Sequence, residues 1–187
     1  KRGKTLADSA VLGAARNAMA VNESNAKMGL VCATPTAGSA GCLPAVLTVA
    51  IEKLGLNESQ QLDFLFTAGA FGLVIANKAS ISGAEGGCQA EVGSASAMAA
   101  AAITMAAGGT PFQASQAICF VLKNMLGLIC DPVAGLVEVP CVKRNAMGAS
   151  FALVAADMAL AGITSAIPVD QVVDAMYQVG SAMPTAF

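Results

Sequence analysis

Long alanine-rich runs separated by three glycine- and proline-rich breaks constrain this chain more than any other feature of its sequence. Alanine is the best helix former, and glycine and proline are the poorest. The runs therefore read as helices and the breaks as loops. Alternating β-branched stretches are scarce, so a sheet has little to be built from. The expectation is an all-α fold, a compact multi-helix domain whose Gly/Pro-rich loops converge on one site.

The first helix is expected from Thr5 to Val21, with Leu6, Val11, Leu12 and Met19 as core contacts. The first break is Ala33 to Cys42, where Pro35 disfavours helix at Thr34. Pro44 suits the first turn of a helix that runs to Leu54 and ends at Gly55. Asn57 and Gln60 form a capping box for the next helix, which continues towards Lys78. That helix is apolar nearly all round, which predicts a central position. Gly69 and Gly72 lower its propensity, a loss that close helix contact would offset. The second break spans Ser80 to Gly93. Ser94 then caps an alanine-rich helix ending at Gly108–Gly109, and Thr110, Pro111 and Gln113 restart the chain. The third break is Cys130 to Pro140. Helix resumes from Cys141 to Leu160, and a last helix follows Pro168.

A length of 187 residues fits a single helical domain, residues 1–187. Only 12% of the residues are charged and 56% are apolar, so part of the surface should be covered by a partner domain or a second copy. Ten Lys and Arg residues without a basic run argue against nucleic acid. No stretch reaches the roughly 20 strongly apolar residues of a membrane span. Six cysteines in an alanine-rich chain with no signal-peptide pattern read as free or metal-bound thiols in a reducing, cytoplasmic setting. The chain starts at Lys1 and reads as a piece of something longer.

The breaks carry the chemistry. The chain has no histidine, so imidazole catalysis must come from elsewhere. Cys88 lies in Gly-Ala-Glu-Gly-Gly-Cys-Gln-Ala-Glu. Cys130 and Cys141 bracket a turn-rich path through Pro132, Gly135 and Pro140. Should the three thiolates converge, they would hold a metal or cluster. A 4Fe–4S cluster held by three thiolates keeps one iron open as a Lewis acid. Zinc is the competing metal, and isolated buried cysteines are the plain alternative. Cys32, Cys42 and Cys119 read as buried cysteines without a site.

The small hydroxyls Thr34, Thr36 and Ser39 precede a helix N-terminus, a place suited to a carboxylate or to simple capping. The loop lacks the Gly-Lys-Ser/Thr ending of a phosphate-binding loop. Ser82, Glu85 and Glu91 flank Cys88. Glu85 would orient a substrate ammonium, or merely cap a helix. Arg144 and Asn145, with Lys143, follow Cys141 and would attract a negative cluster and a carboxylate, or lie on an exposed face. Asp157 should face water or find a partner.

Taken together, three segments resemble the α chain, or α domain, of the iron–sulfur-dependent bacterial L-serine dehydratases. They are Thr34-Pro-Thr-Ala-Gly-Ser-Ala-Gly41 with Pro44, Ser82-Gly-Ala-Glu-Gly-Gly-Cys-Gln-Ala-Glu91, and Cys130-Asp-Pro-Val-Ala-Gly-Leu-Val-Glu-Val-Pro-Cys141 with Arg144-Asn145. The likeness runs through the linking helices to Met183-Pro184. It implies deamination of L-serine to pyruvate and ammonia, beginning with loss of water across Cα–Cβ. It implies a 4Fe–4S cluster with Cys88, Cys130 and Cys141 as ligands. It also implies a substrate surface from Thr34, Thr36 and Ser39 with Ser82 and Glu85, joined by Arg144 and Asn145. Family members carry a β domain or β subunit that supplies a histidine base, which this chain lacks. A homo-oligomer is expected as well. The alternatives are an electron-transfer or redox-sensing iron–sulfur module and a non-catalytic structural helical domain.

Overall fold

The computed structural model describes residues 4–130, 133 and 138–184. Its elements are α1 (Ser9–Ala26), α2 (Cys42–Leu54), α3 (Glu58–Lys78), the short α4 (Gly83–Cys88), a π-helical turn (Gln89–Gly93), α5 (Ser94–Ala106), α6 (Pro111–Met125), α7 (Glu138–Leu160) and α8 (Val169–Ser181). The fold is all-α, with no extended strand among the described residues.

The centre of the molecule is α5, in which every residue from Ser94 to Thr104 is buried. Helices α2, α3, α6 and α7 pack around it. Alanine at Ala95, Ala97, Ala99, Ala100, Ala101 and Ala102 keeps this helix thin, so its neighbours approach closely. Gly148 of α7 makes such an approach: a Cβ there would sit 3.0 Å from Cys42 Sγ and from Val92 Cγ1.

Local signals set most helix ends. Asn57 and Thr110 each accept a hydrogen bond from the backbone N–H three residues on, and Gln60 and Gln113 close the reciprocal bonds. Gly55 takes the left-handed conformation (φ 68°) that ends α2. The first helix starts later than Thr5, because Asp8 provides its cap by accepting from Ala10 N at 2.7 Å. Leu6 precedes that cap and is exposed rather than in the core, and Leu12 is exposed as well.

Three further expectations are corrected. Helix α3 is peripheral: only Phe64, Ala68, Gly72 and Ile75 are buried, while Leu62, Leu65, Phe66, Leu73 and Val74 are exposed. Gly72 does meet the core, since a Cβ there would lie 2.7 Å from Met98, but Gly69 has nothing near it. Ser94 is no cap; it is helical, makes no side-chain cap bond and follows the π turn without a break. Helix α7 begins at Glu138, before Cys141. Pro132 and Gly135 lie outside the described residues. No single helix among the described residues is long and apolar enough to cross a membrane.

Candidate functional site

The first and second breaks meet each other, and the turn that leads to Cys130 meets the second. Gln89, just after Cys88, is buried and ties its surroundings together in three directions. Its backbone N–H donates to Leu128 O at 2.9 Å, its Oε1 accepts from Gly127 N at 2.9 Å, and its Nε2 donates to Met176 O in α8 at 2.8 Å. Gly87 has φ 70° and ψ −172°, a backbone that glycine adopts readily and other residues do not. A Cβ at Gly87 would lie 2.9 Å from Leu128 O and 2.7 Å from Met183 Sδ. Only glycine lets the Cys88 segment lie against the turn that leads to Cys130.

The first break is fastened by two asparagines. Asn145 of α7 is wholly buried. Its Nδ2 donates to Gly38 O at 2.8 Å and to Cys141 O at 2.9 Å, and its Oδ1 accepts from Gly41 N at 3.1 Å. Asn22 of α1 donates to the same Gly38 O at 2.9 Å. Thr36 Oγ1 donates to Glu91 Oε1 at 2.5 Å and lies 2.9 Å from Ser39 Oγ. The Glu91 carboxylate fits because of two glycines: a Cβ on Gly38 would lie 2.6 Å from its Oε1, and one on Gly83 2.9 Å from its Oε2.

The Cys141 thiol comes within electrostatic reach of both Cys88 and Cys130. Burial pushes the Cys141 thiol up to about 12, and the charges of Cys88, Glu91 and Cys130 push in the same direction, against Arg144. Burial also raises Cys88, opposed by a hydrogen bond and charge attraction from Arg144, with Glu91 raising it further. Arg144 also donates to Ile129 O at 2.7 Å, so its guanidinium bridges Cys88 and the residue before Cys130. Among the described residues, no group of three or more Cys, Asp and Glu side chains stands close enough to hold a metal ion. The donor set nevertheless fits an iron–sulfur cluster chemically. It offers three soft thiol ligands, a glycine-only approach at Gly87 and one neighbouring cation to balance thiolate charge.

Of the residues singled out in the sequence, Cys88, Cys130, Cys141, Arg144, Asn145, Thr36 and Ser39 fall in this region. Asn145 has all its amide groups engaged with backbone and the Cys42 thiol, so it holds the loop in place. The others stand apart. Thr34 lines an apolar cavity of about 580 Å³ with Leu30, Val31, Leu43 and Leu47, and its buried hydroxyl has no hydrogen-bond partner among the described residues. Glu85 is exposed, accepts from Ser80 Oγ at 2.7 Å and borders a small groove beside Tyr177 and Gly180 of α8. Ser82 precedes α4 without a side-chain cap bond. Cys32 is exposed, against the expectation of burial. Cys42 and Cys119 are buried as expected, but Cys42 shares an apolar cluster with Cys88 and donates weakly to Asn145. Sequence reasoning passed over Glu91 as a flank of Cys88 and gave Gln89 and Asn22 no role. The signal available was a carboxylate three residues beyond a cysteine that follows two glycines.

Comparison with known proteins bears on the same segments. A family model described as "Serine dehydratase alpha chain" matches residues 1–187. This chain belongs to that family. It is 67% identical over 186 residues to "Probable L-serine dehydratase, alpha chain" of Bacillus subtilis (strain 168), covering 100% of this chain and 62% of the relative. The protein of the same name from Latilactobacillus sakei is 60% identical over 175 residues, covering 94% of this chain and 84% of the relative. The "L-serine dehydratase, alpha chain" of Peptoniphilus asaccharolyticus is 48% identical over 181 residues, covering 97% and 62%. The chain thus spans 62% of the length of two of these relatives.

Proposed function

We propose that this chain is the α part of an L-serine dehydratase that converts L-serine to pyruvate and ammonia, in a reducing, cytoplasmic setting. The observation that supports this reading is that Cys141 feels both Cys88, from the second break, and Cys130, from the far end of its own break, with Arg144 and Glu91 acting on the same thiol. In this proposal Cys88, Cys130 and Cys141 hold a 4Fe–4S cluster. When bound, such a cluster supplies a Lewis-acidic iron towards the leaving hydroxyl. The chain's own residues bind and orient. Arg144 offsets negative charge at Cys88, and Asn145 with Asn22 fixes the loop at Gly38. Thr34, Thr36, Ser39, Ser82 and Glu85 are proposed for the substrate surface, with Thr36 and Ser39 nearest the thiols' neighbour Glu91.

Loss of water from serine requires removal of the α-proton, and the chain has no histidine to take it. The base is therefore assigned to a β domain or subunit. The exposed apolar face of α3, from Leu62 to Val74, offers surface for that partner or for a second α chain. Anaerobic reconstitution with iron and sulfide, followed by an L-serine assay with and without the β partner, tests the proposal. Pyruvate should form only with both parts present. Cys88→Ser, Cys130→Ser and Cys141→Ser should each lose iron and sulfide, whereas Cys119→Ser should keep them. Full cluster content in Cys88→Ser would overturn the ligand assignment. A cluster spectrum indifferent to serine would favour electron transfer instead.

A further inference from the structure

We propose that Glu91 is the residue that recognises the α-ammonium group of the amino-acid substrate. The inference rests on the dehydratase reading above and adds a specificity residue to it. It starts from where one proton must go. A threonine hydroxyl has a single proton. Thr36 gives its proton to Glu91 Oε1 at 2.5 Å, a short charge-assisted contact. The 2.9 Å contact between Thr36 and Ser39 must then have Ser39 as donor. The Thr36 proton is thus committed to the carboxylate, and since Ser39 is wholly buried, what this cluster presents outward is the half-buried carboxylate itself. An acceptor set of this kind repels a carboxylate and suits an ammonium with three protons to give.

The carboxylate is also held ready. Gly38 and Gly83 enclose its two oxygens, and Glu91 is half-buried. Among the described residues, Thr36 is its sole hydrogen-bond donor and Oε2 has none. Charge distribution points the same way. Glu91 lies three residues beyond Cys88 and Arg144 three beyond Cys141, so a group of each sign flanks the cysteine segments. A zwitterion needs one group of each sign beside the reacting centre. Glu85, the other acidic residue of this segment, is turned to Ser80 and the α8 groove.

The test compares L-serine with L-glycerate, which keeps the carboxylate and replaces the ammonium by a hydroxyl. L-Glycerate binding to the assembled, cofactor-loaded α–β enzyme is measured by titration calorimetry, and L-serine binding by its KM in pyruvate release, in wild type and in Glu91→Gln. Gln can still accept from Thr36 and lacks the charge. L-Serine should bind roughly 10- to 100-fold more weakly in Glu91→Gln, the range for a hydrogen bond to a charged group, while L-glycerate changes by less than about twofold. Intact glycerate binding reports a folded site. Should Glu91→Gln fail to assemble, Glu91→Asp carries the test, with a smaller selective loss for L-serine. Equal weakening of both ligands, or of neither, overturns the assignment of Glu91 alone, provided wild type turns over L-serine. A wild-type enzyme that neither binds nor turns over L-serine overturns the dehydratase reading and this inference with it.

Discussion

Replacing Asn145 by alanine should destabilise the chain by about 2–4 kcal/mol, chiefly through one orphaned N–H. The side chain is wholly buried and makes bonds to three backbone groups. Their fates differ. Gly38 O keeps its donor from Asn22 at 2.9 Å. Cys141 O remains inside α7, where the helix supplies its own donor. Gly41 N–H loses its acceptor in a buried place, which costs about 1–3 kcal/mol. The emptied volume adds roughly another 1 kcal/mol. Asn145→Asp provides the internal control. It keeps an acceptor for Gly41 N–H but turns an oxygen towards Gly38 O and Cys141 O and buries a charge, so it should cost more than alanine. Urea unfolding followed by far-ultraviolet circular dichroism measures both variants. A loss below about 0.5 kcal/mol in Asn145→Ala, or a milder effect for Asp than for Ala, would refute the reasoning.

Three other expectations follow from described features. Burial raises Cys88 and Cys141 above the ordinary thiol range, Cys141 to about 12, so the folded metal-free chain holds these protons more tightly than the unfolded one. Their contribution is complete below the unfolded value of about 8.5 and is lost as pH rises towards the folded one, so the urea midpoint should fall over that window. Cys141→Ala should flatten the fall, and a midpoint independent of pH there would contradict it. Gly87→Ala forces a Cβ to 2.9 Å from Leu128 O at φ 70° and should cost at least about 2 kcal/mol, read as a lowered urea midpoint. Phe66→Asp on the exposed face of α3 should change stability by less than about 0.5 kcal/mol yet weaken assembly, visible as a lower mass in sedimentation.

How much of this was legible beforehand depended on sequence distance. The Asn57–Gln60 and Thr110–Gln113 boxes were readable because both partners lie within one turn of helix. The contacts Thr36–Glu91, 55 residues apart, and Asn145–Gly38, 107 apart, leave no trace in local pattern, so Glu91 and the pinning role of Asn145 came only from the structure. The apolar content of α3 was read as centrality. Hydrophobicity says that a face wants covering, not that this chain covers it, and α3 leaves Phe66 and Leu73 exposed. The thin α5 took the centre instead, because small side chains admit more neighbours. The cysteine motifs were legible as a set through family resemblance, whereas the influence of Cys88 and Cys130 on Cys141 depends on segments that Gln89 and Arg144 bridge across the chain.

The π-helical turn from Gln89 to Gly93 also sets a phase. A turn closed over i to i+5 holds one residue more than an α-turn, and each α-helical residue advances the chain by about 100°. Deleting one residue there would let Cys88 join α5 in one regular helix, while the break at Gly87 would still part it from the rest of α4. It would also swing Cys88 roughly a quarter of a revolution about the axis of α5, away from Arg144 and the segment leading to Cys130. The spacing between Cys88 and Ser94 therefore works as a length gauge: substitutions within it are a matter of fit, while a change in its residue count moves the thiol to another side of the helix.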